Sequence, residues 1–324
     1  MNYKKCIIIL LIILLIILML SNIYLFTKDL NNFENIDTDI GNVLSDYFSG
    51  LTLSILKKED FNSKKYFFDD NNLYCNYFFF KSLPTFIKYE HDDIYNNLTS
   101  KDITYDKSYI NHLSYIMNDE NDNIINGNNY KKYYCWIYMK PLIHKILDDT
   151  FKQCGLVKNV DNPIIHFRCA DTPFAMGDGY NFQYYSFFKD SLEEINNKLN
   201  KNYKTIDIMY SNTHKSSDKQ QKSCDIYINS LQIYLKNIGY ETNIINNSNI
   251  DDFATLFYAP AVISTCSSFS FMSGAFSDGI FISPYFYEDK YKNEPFNKLS
   301  YILAHNLVND YTDTDNVINL LKQK

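Results

Sequence analysis

One residue concentrates the chemistry of this sequence. Arg168 is the single arginine in a chain with 31 lysines and arginines in total, and it closes the run Pro163-Ile164-Ile165-His166-Phe167-Arg168. A guanidinium is a planar fork of donors that stays charged at any working pH and grips a phosphate through two parallel hydrogen bonds, whereas an ammonium is a point charge. The apolar run before it reads as a short buried strand, and the carboxyl ends of such strands are where open α/β sheets bind ligands. The expectation is an anion-binding arginine at a strand end; the alternative is a surface salt bridge.

A second stretch, Ala259-Pro260-Ala261-Val262-Ile263-Ser264-Thr265-Cys266-Ser267-Ser268-Phe269, feeds an apolar strand into small hydroxyl residues that open a helix. Free backbone N–H groups and the Ser/Thr hydroxyls of this stretch, those of Ser267 and Ser268 included, could cradle a phosphate there without glycines. An ordinary helix N-cap is the competing reading. Cys169, Cys266, His166 and His214 could form a thiol–imidazole pair on paper, but nothing in their spacing supports one, and small cysteines at strand ends are more often buried packing.

The elements that must position these residues alternate. The pattern predicts a helix over 141–151 with Gly155 as its stop, a strand over 163–167, a helix over 184–200 and a strand over 205–210. It continues with a helix over 216–238, a strand over 242–245, a helix over 251–258, a strand over 261–265, a helix over 268–276, a strand over 279–283 and a closing helical segment within 301–321. Strands alternating with helices mean a parallel sheet covered on both faces, a Rossmann-like arrangement. The aromatic clusters and Asp/Asn-rich breaks of 62–129 suggest short strands and helices of a separate first domain. Trp136 reads as a core residue of that region.

Residues Cys6 to Phe26 form an uncharged run, about 31 Å long as a helix, which matches the hydrocarbon core of a bilayer. Lys4 and Lys5 precede it and an acidic segment follows, so the expected topology is a single-pass type II protein with a lumenal (Golgi/ER-type) or exterior body. Residues 27–60 read as a stem. The sequons at Asn97 and Asn246 suit that topology, although an Asn-rich chain also makes them by chance. A net charge of −7 with 17% aromatic residues describes a mildly acidic globular body and excludes a basic nucleic-acid binder. The seven cysteines form no CxxC pair and no zinc-site spacing, so no metal is expected, and disulfides stay open.

The order His166-x-Arg168-x-x-Asp171 after a strand, with a later acidic-start helix, apolar strand and Ser-Ser-Phe, resembles the GDP-fucose fucosyltransferases that make α1,2 and α1,6 linkages, and their protein-fucosylating relatives. The resemblance covers roughly residues 141–284; Cys169 stands where those enzymes carry a second arginine. It implies a GT-B-like enzyme of two Rossmann-like domains, here an acceptor-side domain at 61–158 and a donor domain at 159–324. It further implies that Arg168 holds the diphosphate of GDP-fucose, that His166 lies beside the fucose and phosphate, and that Asp171 orients the arginine. Asp252 would receive guanine, and Ser267, Ser268 and Phe269 would line the phosphates. No cofactor is implied beyond the donor substrate, and the acceptor would be a glycan or glycoprotein hydroxyl. Departing GDP would be stabilised by fixed charge without a metal. Where the α1,6 enzymes place a glutamate this chain has Met176, so Asp178, between Gly177 and Gly179, is the candidate base, with a surface turn as the alternative.

Two rival readings remain at this level. A manganese-dependent transferase would need an Asp-x-Asp at a strand end, and Asp37-Thr38-Asp39 and Asp313-Thr314-Asp315 both lie outside the alternating region. A non-catalytic relative that binds glycans or nucleotides would be expected to lack the second arginine and the glutamate.

Overall fold

The computed structural model describes residues 40–63, 78–98, 132–169, 183–211, 218–265, 267–283, 299–300 and 314–322. The apolar run 6–26 lies outside them, and no helix of the described residues is long and apolar enough to cross a membrane.

The chain enters through helix α1 (Ile40–Leu56), a two-residue strand β1 (Phe61–Asn62), helix α2 (Phe78–Ser82), strand β2 (Phe86–Ile87), helix α3 (Asp92–Leu98) and the long helix α4 (Lys132–Gln153). Alternation then sets in: β3 (Ile164–Arg168), α5 (Tyr185–Leu199), β4 (Thr205–Ser211), α6 (Asp218–Asn237), β5 (Glu241–Ile245) and α7 (Asn249–Tyr258). It finishes with β6 (Ala261–Ser264), α8 (Ser268–Gly274), β7 (Ile280–Ile282), β8 (Leu299–Ser300) and α9 (Thr314–Lys322).

Strands β3 to β8 form one sheet in the order β5-β4-β3-β6-β7-β8, and every neighbouring pair is parallel. Counted from its own first strand this is the order 3-2-1-4-5-6 of a doubly wound sheet, which reverses direction between β3 and β6. Parallel strands need both faces covered, and the apolar residues divide accordingly. Ile164, Met209, Val262 and Phe281 pack with α1, α4, α7 and α8 on the first face. Ile165, Phe167, Ile206, Ile208, Ile263 and Ile282 pack with α5, α6 and α9 on the second.

Local signals account for several boundaries. Ser248 caps α7 by accepting the Asp251 N–H, and Asn200 ends α5 in the left-handed conformation at φ 50°. Gly155 stops α4 at φ 67°, as expected, but the helix starts at Lys132 rather than near Pro141, which sits in its interior. Proline favours the first turn, so it was a misleading start signal.

The stretch read as a stem is different from Ile40 onward. Ile40, Val43, Leu44, Tyr47, Phe48, Leu51 and Ile55 follow helical spacing and are all at most 5% exposed, so α1 is a core helix. Burial on this scale contributes about 2 kcal/mol per large side chain, far more than a tether requires. Likewise, the described residues of 61–158 supply α2, α3, most of α4 and the antiparallel β1–β2 pair. Phe79, Phe80, Ile94, Leu98, Ile143 and Phe151 join the first-face core instead of a core of their own.

Candidate functional site

The sheet delivers Arg168 to the carboxyl end of β3, beside β6, at the crevice where the strand order reverses. Side chains alternate along a strand, so Ile164, His166 and Arg168 share the first face while Ile165 and Phe167 enter the second core. Beyond the last paired residues a side chain takes over the pairing. Thr265 Oγ1 accepts the Arg168 N–H at 2.7 Å and donates to the His166 carbonyl at 3.2 Å, and the Thr265 N–H donates to that same carbonyl at 3.1 Å. The last residue of β3 is thereby fastened to the residue that follows β6.

His166 lies under this junction. Its ring stacks on Phe269 with centroids 5.6 Å apart, and Phe269 meets Phe253 edge-on at 5.3 Å. Burial, with the Arg168 charge as a second cause, pushes the imidazole pKa down to about 3. The ring is therefore neutral at pH 7 and a weak base. Its buried Nδ1 has no hydrogen-bond partner among the described residues. Such an atom costs about 1–3 kcal/mol unless something satisfies it.

Around the second stretch, Ser267 occupies the N-cap position of α8 in extended conformation, but its hydroxyl makes no capping bond. The capping alternative thus accounts for its place in the chain and not for its side chain. Ser264 and Ser270 hydroxyls bond to each other at 2.6 Å in full burial and hold β6 against α8. Ser268 and Phe269 are half-buried at the start of α8.

Asp252 is 8% exposed in the first turn of α7. Its carboxylate accepts the Asn247 backbone N–H at 3.2 Å and the Asn247 amide at 3.0 Å, yet burial still raises its pKa to about 6. Its sequence neighbour Phe253, not Asp252 itself, connects α7 to His166 through Phe269. Its oxygens are engaged by Asn247, so a base could reach it only by sharing or displacing those bonds. Asp171 and Asp178 lie outside the described residues.

Three relationships in the site come from the tertiary structure. Thr265 reads as a strand end whose hydroxyl could join a phosphate cradle; in the structure it follows the His166–Ser264 pair, and its hydroxyl bonds the backbone of Arg168 and His166 instead. Helix α1 carries Gly41, where a Cβ would stand 2.5 Å from the Ser268 carbonyl carbon and 2.6 Å from the Phe269 nitrogen. The helical spacing of residues 40–55 was the available signal for it. Cys169 forms a disulfide with Cys224 on α6, a pairing 55 residues apart that no spacing rule announces. No protein-family model, curated protein or solved structure matches the chain.

Proposed function

We propose that this protein is a glycosyltransferase that transfers fucose from GDP-fucose to a hydroxyl of a glycan or glycoprotein, with inversion and without a metal. The observation that carries the reading is the placement of Arg168 at the switch point of a doubly wound parallel sheet, two residues after a neutral His166 whose Nδ1 has no partner among the described residues. The motif resemblance supplies the donor. On this reading residues 6–26 anchor the chain in type II orientation, and the six-stranded sheet, with the described residues of 61–158 packed on its first face, is the donor-binding half of a GT-B-like enzyme.

The acceptor oxygen attacks the sugar C1 as the C1–O bond to GDP breaks. The acceptor proton passes to a carboxylate, for which Asp178 is the candidate, and the electron pair departs with GDP. Arg168 stabilises the charge that develops on the diphosphate, which is where a fixed cation contributes most. His166, neutral, gives a hydrogen bond rather than accepting the proton.

A panel of nucleotide sugars offered to the full chain in detergent tests this. Consumption of GDP-fucose that withstands EDTA and is lost in Arg168→Ala is expected. Turnover of a UDP-sugar that EDTA abolishes, or no binding of any nucleoside diphosphate, would overturn it. Cys169 favours one second reading, a nucleotide-binding body without turnover, because the position that carries a second arginine in the resembling enzymes is committed here to a disulfide. GDP binding without turnover of any donor selects that reading.

A further inference from the structure

We infer that the Cys169–Cys224 disulfide is a positioning device that aims Arg168 into the site, an inference that rests on Arg168 holding the donor diphosphate. Cys169 follows Arg168 directly, past the end of β3, where the register to β4 stops at Arg168. It is 2% exposed and packs in the second-face core with Phe167, Tyr185 and Phe188, while Cys224, 1% exposed, comes from the same side on α6. The two α-carbons are 5.6 Å apart, within the span that a disulfide bridges.

The consequence is one of parity. Successive side chains along extended backbone point to opposite faces. Fixing Cys169 covalently into the second core therefore helps hold the Arg168 side chain to the first face, the side of His166, at the last pair of the β3–β4 ladder, Arg168 opposite Ser211. Thr265 clamps the Arg168 N–H at 2.7 Å on one side of the residue, and the disulfide clamps the following residue on the other. A single cation held at both flanks is pre-organised for a diphosphate, so less ordering is required when the ligand arrives. Both sulfurs are buried, so the bond is a permanent strut. It requires the body to fold where disulfides persist, which agrees with an exterior or lumenal location.

The test compares GDP and guanosine binding to the full chain in detergent, by saturation-transfer NMR, for the wild type, Cys169→Ala/Cys224→Ala and Arg168→Ala. The inference expects the double variant to bind GDP at least tenfold more weakly, with guanosine binding unchanged. Undiminished GDP binding in the double variant, while Arg168→Ala loses it, overturns the inference and leaves the proposed function standing. Equal weakening of GDP and guanosine marks general loosening and also overturns it. Undiminished GDP binding in Arg168→Ala removes the reading on which it rests, and the inference with it. If the double variant does not fold, wild-type protein reduced in its folded state, with freed thiols counted by mass spectrometry, takes its place under the same criteria.

Discussion

The hydroxyl of Thr265 accepts the backbone N–H of Arg168 at 2.7 Å, so the last residue of β3 is held by a side chain of the neighbouring strand's extension. The same hydroxyl donates to the carbonyl of His166, and one side chain thus fixes the backbone on both sides of Phe167. Thr265 is 3% exposed, so these bonds are shielded from solvent.

Thr265→Val keeps the shape and removes both bonds. The Arg168 N–H loses its acceptor, which costs about 1–3 kcal/mol. Chemical denaturation should show a loss in that range, accompanied by weaker GDP binding. Thr265→Ser, which keeps the hydroxyl, should remain within about 1 kcal/mol of the wild type. Equal stability of the valine and serine variants would remove Thr265 from the account.

Gly41→Ala sets two effects against each other. Alanine is favoured over glycine inside a helix by about 1 kcal/mol. The added Cβ, however, would stand 2.5 Å from the Ser268 carbonyl carbon, and backbone cannot move aside as a flexible side chain can. Overpacking of this kind costs about 1–3 kcal/mol, so net destabilisation is expected, with a displaced Ser268–Phe269 backbone and weaker GDP binding. A stabilised variant would mean that α1 does not sit against the start of α8.

Acid should expose two opposing titrations. His166 has its pKa pushed down from 6.5 to about 3, so the unfolded chain takes a proton that the native protein refuses, and stability falls as pH drops from 6.5 toward 3. Asp252 is raised from 3.8 to about 6, so the native protein holds a proton that the unfolded chain has lost, and its contribution is lost as pH rises from 3.8 through 6. Each group changes the slope by at most about 1.4 kcal/mol per pH unit. Thermal unfolding between pH 4 and 6 should therefore show a steeper acid loss in Asp252→Asn and a shallower one in His166→Phe. The reverse order, or no change in either, contradicts the burial assigned to the two groups.

The alternating half of the fold was legible because its strands are short apolar runs bounded by polar turns. The expected strand over 205–210 and helix over 216–238 differ from β4 and α6 by one or two residues. Arg168 and His166 were legible for the same reason, together with the rarity of arginine. The order of strands was not, since pairing is decided by crossover connections and packing that no local pattern records. Helix α1 is hidden in the sequence because polar and acidic residues precede it, as in a tether, and its apolar spacing becomes decisive only once the sheet supplies a face to bury it. The Cys169–Cys224 bond was unreadable because its partners meet only after β3 and α6 pack. Thr265 gained significance only from the register β3 shares with β6.

The most direct measurement is the affinity of the full chain for GDP in the wild type, Arg168→Lys and Arg168→Ala, at constant ionic strength. If Arg168 grips a diphosphate through its fork, lysine keeps the charge but loses the second parallel bond, and both variants should bind GDP at least about tenfold more weakly, alanine more so than lysine. Wild-type affinity in both variants would contradict the account at its centre.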